Sequence, residues 1–304
     1  MYFLKKYRRG IKNKYRRGIP VLEAAHKDLL LLLKEVRFYF RNNGRHRTML
    51  IYPHFPSRGS TIYKLAGHMQ FNVTNRLSRE YELAIYWEYL TFREEYRELE
   101  AVAEKGHIRV INLHSRNISK KYSNQMFREV FGYSISIDPL SFKGECVRKS
   151  DINAKHDGTI IQCPIEHAEE GYVYQKLVDN SWGDDSVMDI RLIVIQTVLP
   201  YLFLKFRKRS VRFKNISENP RLAPTSKVLR PEEIENINIF VQCVRLEYGE
   251  LDVLRDKGDG KIYIVDVNNT PQGPPKHTKR SDIKKIFPIM KEAFVTNFLS
   301  EPEE

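Results

Sequence analysis

Three oxygen-bearing side chains near the end of the sequence are spaced as ligands for a hard metal ion. Asp266 and Asn268 fall in one β-branched run, and side chains two apart on an extended strand point to the same face. Asp259–Gly260 predicts a hairpin turn that would bring Asp252 alongside them. Two carboxylates and an amide oxygen suit Mg²⁺. The alternative is a hairpin with ordinary outward polar residues, although Asp and Asn are depleted in strands.

A second group suited to chemistry lies about a hundred residues earlier. Lys149 ends a predicted strand, Cys146–Lys149, and the small polar loop Ser150–Gly158 follows it. Backbone N–H groups of such a loop can hold phosphate oxygens, and a lysine adds a point charge. A lysine at a strand end is common by itself. Beside a metal triad, it predicts a magnesium–nucleotide site with the loop as a lid.

Composition and charge set the class of partner. The 304 residues carry a formal net charge of +13, with 41% hydrophobic and 12% aromatic residues, which indicates a folded chain with anionic partners. Three cysteines provide no disulfide framework, so a reducing cytoplasm is expected. No apolar run reaches the roughly 18 residues that a spanning helix needs.

The N-terminus is strongly basic. The hexapeptide Lys6–Ile11 recurs as Lys14–Ile19, and residues 1–19 contain eight Lys or Arg and no acid. A helix is predicted from about Val21 to Phe40, with five consecutive leucines, Leu29–Leu33. One interpretation is an anchor on an anionic membrane surface. The other is a solvated basic tail followed by a packed helix. A nucleic-acid arm is disfavoured because no binding motif accompanies the charge.

The remaining pattern indicates an α/β (α+β) fold. Strands such as Leu83–Trp87 alternate with helical segments such as Thr61–His68 and Phe92–Lys105, which predicts a small, largely parallel sheet covered by helices. Further along, the apolar segment Ile190–Lys205 is expected to be one strand or a hairpin, and Ser281–Leu299 a closing helix.

The order of these motifs resembles the ATP-grasp superfamily over roughly residues 105–275. Each motif is loose alone, whereas six in the family's order are fairly specific. The residue pattern predicts a basic helical segment (1–45) and a small α/β domain (46–115), and the resemblance implies an ATP-grasp nucleotide-binding catalytic domain (116–300). The motifs that carry it are Ser119–Lys120 before a helix ending at Phe131–Gly132, Val147–Lys149 with its loop, Tyr174–Val178, Asp189–Arg191, Asp252, and Asp266–Asn268 before Pro271 and Gly273.

The resemblance also implies roles for individual residues. Lys120 and Lys149 would bind the nucleotide phosphates, and Arg191 would contact phosphate or the reacting group; Lys149 and Arg191 are the candidate catalytic residues. Asp252, Asp266 and Asn268 would hold one or two Mg²⁺. The remaining nucleotide-facing residues would be Gln175, Lys176, Leu177 and Val178 beside adenine, with Asp189 next to Arg191.

Three positions depart from the family's pattern. Asp266 stands where glutamate is more usual, and Gly158 is the only glycine of the lid. Glu250 stands where some peptide-forming members carry arginine. Arg212 and Arg245 are further candidates for binding an anionic group, although a structural role is the commoner one for arginine.

The function implied is that of an ATP- and Mg²⁺-dependent ligase that forms an amide through an acyl phosphate. The expected substrate is an acidic small molecule or a glycan, such as a cell-envelope or capsular polysaccharide precursor. The expected location is the cytoplasm, with peripheral contact to an anionic membrane. One alternative is a kinase that phosphorylates a sugar hydroxyl on the same fold. The other is a non-catalytic, nucleotide-binding factor associated with the membrane.

Overall fold

A computed structural model describes residues 21–104, 106, 108–214 and 216–299. The basic repeat of residues 6–19 lies outside this part. Among the described residues, no helix is both long and apolar enough to cross a membrane. The elements are α1 (Val21–Arg41), β1 (Thr48–Pro53), α2 (Thr61–His68), β2 (Asn72–Thr74), β3 (Leu83–Trp87), α3 (Arg97–Glu104), β4 (Val110–Ile111), α4 (Lys120–Phe131), β5 (Gly144–Ser150), β6 (Thr159–Cys163), β7 (Tyr172–Lys176), β8 (Ser181–Trp182), β9 (Ser186–Ile195), β10 (Thr197–Val198), β11 (Tyr201–Lys208), β12 (Glu218–Pro224), α5 (Pro231–Cys243), β13 (Tyr248–Arg255), β14 (Ile262–Asn268) and α6 (Arg280–Phe298).

The first sheet is parallel throughout, with strand order β2-β1-β3-β4. All five residues of β3 are buried, as expected for a parallel strand covered on both faces. Helix α2 begins after Ser60, whose side chain accepts a hydrogen bond from the backbone N–H of Tyr63 and satisfies one free donor of the first turn. The predicted small parallel sheet is confirmed.

The second sheet is antiparallel and has two faces of opposite character. Its main strands run in the order β12-β11-β9-β13-β14. Ile190, Leu192 and Leu251 point to one face and belong to a core cluster that includes residues of α4 and α5. Because side chains alternate along a strand, Asp189 and Arg191 point to the other face. The predicted hairpin within Ile190–Lys205 corresponds to the antiparallel pair β9 and β11.

The two sheets share one core at the apolar end of this second face. Ile193, Phe203 and Tyr248 from the large sheet join residues of β1, β3, α2 and α6 in a single buried cluster. The charged residues lie further along the same strands and are left uncovered by that cluster. The fold therefore divides one sheet face into a packed half and a polar half.

A third sheet of three strands, order β6-β5-β7, stands beside the polar half. Cys146, Cys163 and Tyr174 form its small core. The loop that joins β5 to β6 is the segment predicted as a lid. This sheet therefore provides both Lys149 and the loop that follows it.

One helix is shorter than its sequence predicts. Phe92–Lys105 was expected to be helical, whereas α3 begins only at Arg97. Phe92 forms a β-bridge with Asn117, and the backbone N–H of Arg93 donates to Arg116 O at 2.7 Å. These tertiary hydrogen bonds hold the start of the segment extended, because they replace the bonds that a first helical turn would supply.

Candidate active site

The floor of the site is a row of charged residues that face one another across three strands. Arg191 on β9 is opposite Asp252 on β13, and Asp252 is opposite Asp266 on β14. Glu250 is opposite Asn268 in the next row. Because opposed residues of an antiparallel pair lie on the same face, the three predicted metal ligands share one face.

Asp252 is held by two cations. Arg191 donates two hydrogen bonds of 2.9 Å to its two carboxylate oxygens, and Lys205 Nζ lies 3.1 Å from Oδ2. Burial alone would raise the pKa of Asp252, but Arg191 and then Lys205 overcome it and hold that pKa below its ordinary value. The planar guanidinium is therefore fixed in position, because a bidentate pair sets both distance and orientation.

Asp266 is the more open carboxylate of the row. It pairs with Lys120, with 3.9 Å between Lys120 Nζ and Asp266 Oδ1. Burial raises the pKa of Asp266 although Lys120 opposes the change. Asn268 Oδ1 accepts a hydrogen bond of 3.0 Å from the backbone N–H of Thr270, which fixes the direction of the amide oxygen.

Glu250 is a fourth carboxylate on the same face. Its Oε2 lies 3.2 Å from Arg191 Nη1, and among the described residues this oxygen accepts no hydrogen bond. Burial raises the pKa of Glu250 to about 7. Glu250 lies two residues before Asp252 on the same strand, and this spacing predicts that the two side chains share a face.

Lys149 is a half-buried cation at the end of β5. Burial, and then repulsion from Lys120, lowers the pKa of Lys149 to about 8. Within the described residues its ammonium has no hydrogen-bond or ion-pair partner. Two neighbouring cations of which one lacks a counterion favour an anionic ligand at this point.

The end of β7 and the two residues after it are only partly directed at the site. Gln175 is buried, and its Oε1 has no hydrogen-bond partner in the described structure. The ammonium of Lys176 is bound by Asp259 at 2.6 Å and Asp256 at 3.1 Å. Gln175, Lys176 and Val178 line the cavity described below, and Leu177 is not among its lining residues.

Asp189 has a structural partner. It forms an ion pair with Arg207 on β11 and accepts a hydrogen bond of 3.0 Å from Asn180 Nδ2. Arg212 donates to Val178 O at 2.9 Å.

The sequence did not predict Lys205 and Arg207 as site residues, because their place depends on the register of β11 against β9. Lys205 and Arg207 are two residues apart on β11, and this spacing could have predicted that their side chains share one face.

The lid loop contacts three separate elements. The backbone N–H of Asn153 donates to Thr91 Oγ1 at 2.8 Å, and Asn153 Nδ2 donates to Val267 O at 3.3 Å. Lys120 Nζ donates to Ile152 O at 3.3 Å. At the far end of the loop, a Cβ on Gly158 would lie 2.6 Å from the ring of Phe213. Glycine is therefore required there by close packing.

These groups surround one cavity of about 560 Å³, within the usual range for small-ligand sites. The predicted residues that line it are Lys120, Lys149, Gln175, Lys176, Val178, Asp189, Arg191, Asp252, Asp266 and Asn268. Its wall also includes Tyr89, Leu90 and Phe92, each about half exposed.

The donor set fits a magnesium ion. Mg²⁺ in proteins is usually held by one or two carboxylates together with substrate phosphates. Asp266 and the amide oxygen of Asn268 are available in adjacent positions, and Asp252 would first have to share its oxygens with Arg191 and Lys205. No group of three or more His, Cys, Asp or Glu suited to a metal occurs among the described residues, so a phosphate ligand would have to complete the shell.

Solved structures identify the architecture. The ATP-grasp ligase PsnB, complexed with a minimal precursor, superposes with a TM-score of 0.52 at 13% identity, covering 82% of this chain and 98% of that one. The chain has the ATP-grasp fold. PsnB complexed with a phosphomimetic variant of its minimal precursor, Mg and ADP gives the same TM-score and identity, over 83% and 98%. The ATP-grasp fold predicted from the sequence is confirmed.

A third solved structure is also similar to this chain. D-alanine–D-alanine ligase from Bacillus anthracis, complexed with ATP, covers 84% of this chain and 97% of that one at a TM-score of 0.49 and 11% identity. No protein-family model matches the sequence, and no curated protein is detectably similar to it.

Proposed function

We propose that this ATP-grasp protein is an ATP- and Mg²⁺-dependent ligase that joins a carboxylate to an amine through an acyl phosphate. The observation that carries the proposal is the placement of Lys120, Lys149 and Asp266 around one cavity. An ammonium that forms no ion pair among the described residues, a second ammonium and an open carboxylate suit a triphosphate with its bound cation. A complex of PsnB, an ATP-grasp ligase by name, contains Mg and ADP, which supports the same ligands here.

Each residue of the site has a proposed task. Lys120 and Lys149 neutralise the phosphates, and Asp266, Asn268 and Asp252 hold Mg²⁺, which when bound offsets the charge that develops on phosphate oxygens. Arg191, oriented by Asp252, presents its remaining N–H groups to the transferring phosphoryl group or the acyl phosphate. Positioning and charge neutralisation would provide most of the rate enhancement, because phosphoryl transfer needs little covalent help from the protein.

The base of the nucleotide is assigned to the wall formed by Gln175, Lys176 and Val178. The unpartnered Oε1 of Gln175 can accept a hydrogen bond from an exocyclic amino group such as that of adenine. Lys176 would contribute through its backbone, since its ammonium is already bound by Asp256 and Asp259.

The acceptor is proposed to be an acid of the cell envelope, such as a polysaccharide precursor, handled in the cytoplasm. Support comes from the cation excess at the site, where Lys205, Arg207 and Arg212 add to Arg191 and Lys149. An anionic substrate would be attracted to such a cavity.

The test is release of ADP and phosphate against crossed libraries of acids and amines. A ligase releases ADP and free phosphate only when both an acid and an amine are present. A kinase leaves its phosphate on a single acceptor and needs no amine. Product formation with one hydroxyl acceptor alone would reject the ligase in favour of the kinase.

A further inference from the structure

A second basic cavity lies between α1 and α2, on a surface that the proposed ligase reaction does not use. It has a volume of about 570 Å³. Its lining includes four Lys or Arg and no Asp or Glu among the described residues, together with leucines at its edge. The residues that matter are Lys34, Arg37, Arg58, Lys64, Leu30 and Leu33.

One cation of this groove, Lys34, lies against two aromatic rings. Lys34 Nζ lies 5.1 Å from the ring centre of Phe38 and 4.8 Å from that of Tyr63. Burial, and then repulsion from Arg58, lowers the pKa of Lys34, with Glu35 opposing the change. An anion bound in the groove would relieve both effects, because it compensates desolvated positive charge.

An apolar stripe runs along α1 beside the groove. Leu29, Leu33, Val36 and Phe40 follow the spacing of one helical face, and they are 47%, 56%, 39% and 74% exposed. Phe38 points to the opposite side of the helix and is only 6% exposed. The helix therefore packs on the protein through Phe38 and presents its apolar stripe outward.

The chemistry of an occupant follows from these two features together. It must offer anionic groups to the groove and apolar surface to the stripe at the same time. A second copy of the chain would bring a net charge of +13 against an equal charge, which disfavours self-association. The eight Lys or Arg of residues 1–19, immediately before α1, add to the attraction for an anionic surface.

We propose that α1 and the groove beside it form a docking surface for an anionic membrane leaflet. The groove binds a lipid phosphate, and Leu29, Leu33, Val36 and Phe40 enter the boundary between headgroups and acyl chains. This arrangement is that of an interfacial amphipathic helix, whose binding combines buried apolar area with attraction to anionic lipid. It is independent of the reaction catalysed.

Vesicle flotation of the full chain tests the proposal. Vesicles of phosphatidylcholine are compared with vesicles that contain about one third phosphatidylglycerol, and binding is expected only to the second. Leu33→Asp and Arg58→Glu should each reduce the bound fraction about tenfold or more, since the first adds charge to the apolar face and the second reverses charge at the groove. Leu140→Asp and Arg128→Glu are matched controls at exposed positions elsewhere and should bind as the wild type does.

Three results would overturn the proposal. Unchanged flotation of Leu33→Asp and Arg58→Glu would assign membrane binding to residues 1–19 alone. Saturable binding of inorganic phosphate that Arg58→Glu removes, without flotation on anionic vesicles, would make the groove a site for free phosphate. A dimer in sedimentation velocity that Leu33→Asp dissociates, again without flotation, would assign the stripe to self-association. Circular dichroism of each variant confirms that the fold is retained.

Discussion

Lys120 Nζ and Asp266 Oδ1 lie 3.9 Å apart, too far for a hydrogen bond and close enough for a strong electrostatic interaction. Lys120 is on the first turn of α4 and Asp266 on the last strand of the large sheet. The same ammonium donates to Ile152 O in the lid. One lysine thus connects the helix, the sheet and the lid at the point where a nucleotide phosphate is proposed to bind.

Replacing Lys149 by alanine should weaken Mg-ATP binding about 10- to 100-fold, because a charge-assisted contact to phosphate is lost. The free protein should not lose stability, because burial is the largest influence on the Lys149 ammonium and disfavours its charged form. Isothermal titration calorimetry and thermal melting measure the two effects separately.

Lys121→Ala is the matched control for that experiment. Lys121 is exposed and is not among the residues that line the cavity, so its loss should leave Mg-ATP affinity unchanged. Equal affinity of Lys149→Ala and wild type would remove Lys149 from the phosphate site.

Asp266→Asn should reduce Mg²⁺-dependent ATP turnover by at least about 100-fold, since even residues that support metal ligands cost about 10- to 100-fold when lost. The melting temperature should be unchanged or higher, because burial disfavours the charged form of Asp266. The measurement is ADP release with increasing Mg²⁺. Asp184→Asn changes an exposed carboxylate elsewhere on the chain and should behave as the wild type. Turnover retained in Asp266→Asn would exclude Asp266 as a magnesium ligand.

The sequence predicted the arrangement of short-range features well. Two-residue alternation placed Asp266 and Asn268 on one face, and Asp259–Gly260 located the hairpin that brings Asp252 opposite. Both depend on local geometry, which the chain specifies within a few residues.

Long-range contacts were harder to predict. Lys205 meets Asp252 only because β9 lies between their strands in a specific register. Thr91 meets Asn153 across 62 positions of sequence. The overpredicted start of α3 has the same origin, because helical propensity at Phe92 was outweighed by contacts with residues beyond β4.

Thr91→Val should loosen the lid. The substitution preserves shape and removes the oxygen that accepts the backbone N–H of Asn153 at 2.8 Å. Loss of one neutral hydrogen bond predicts about a 2- to 10-fold decrease in Mg-ATP affinity. Tryptic cleavage after Lys155, an exposed lid residue, should become faster in the absence of nucleotide. Thr91→Ser retains the hydroxyl and should restore both the Mg-ATP affinity and the cleavage rate of the wild type. Equal cleavage rates for all three proteins would mean that the hydrogen bond between Asn153 and Thr91 does not hold the lid in place.

Glu233→Gln should lower stability in a pH-dependent way, at a distance from the active site. Glu233 is 4% exposed and accepts hydrogen bonds of 2.8 Å and 2.7 Å from Arg255 and one of 2.9 Å from the backbone N–H of Arg230. Burial alone would raise the pKa of Glu233, but Arg255 and then Arg230 overcome it, so the pKa is lowered. Removing the charge leaves Arg255 without its partner and should cost about 3 kcal/mol near neutral pH.

The sign of the pH dependence follows from that lowered pKa. A carboxyl group whose pKa is lower in the folded state contributes stability above its unfolded pKa and loses it as pH falls through the folded value. The stability difference between wild type and Glu233→Gln should therefore shrink below about pH 4. Urea unfolding at neutral and acidic pH measures it. Glu232→Gln, at an exposed neighbouring residue that pairs with Arg230, should change stability by less than about 1 kcal/mol at either pH. A difference for Glu233→Gln that stays constant down to pH 3 would mean that packing, and not the ion pair with Arg255, holds the start of α5 to β13.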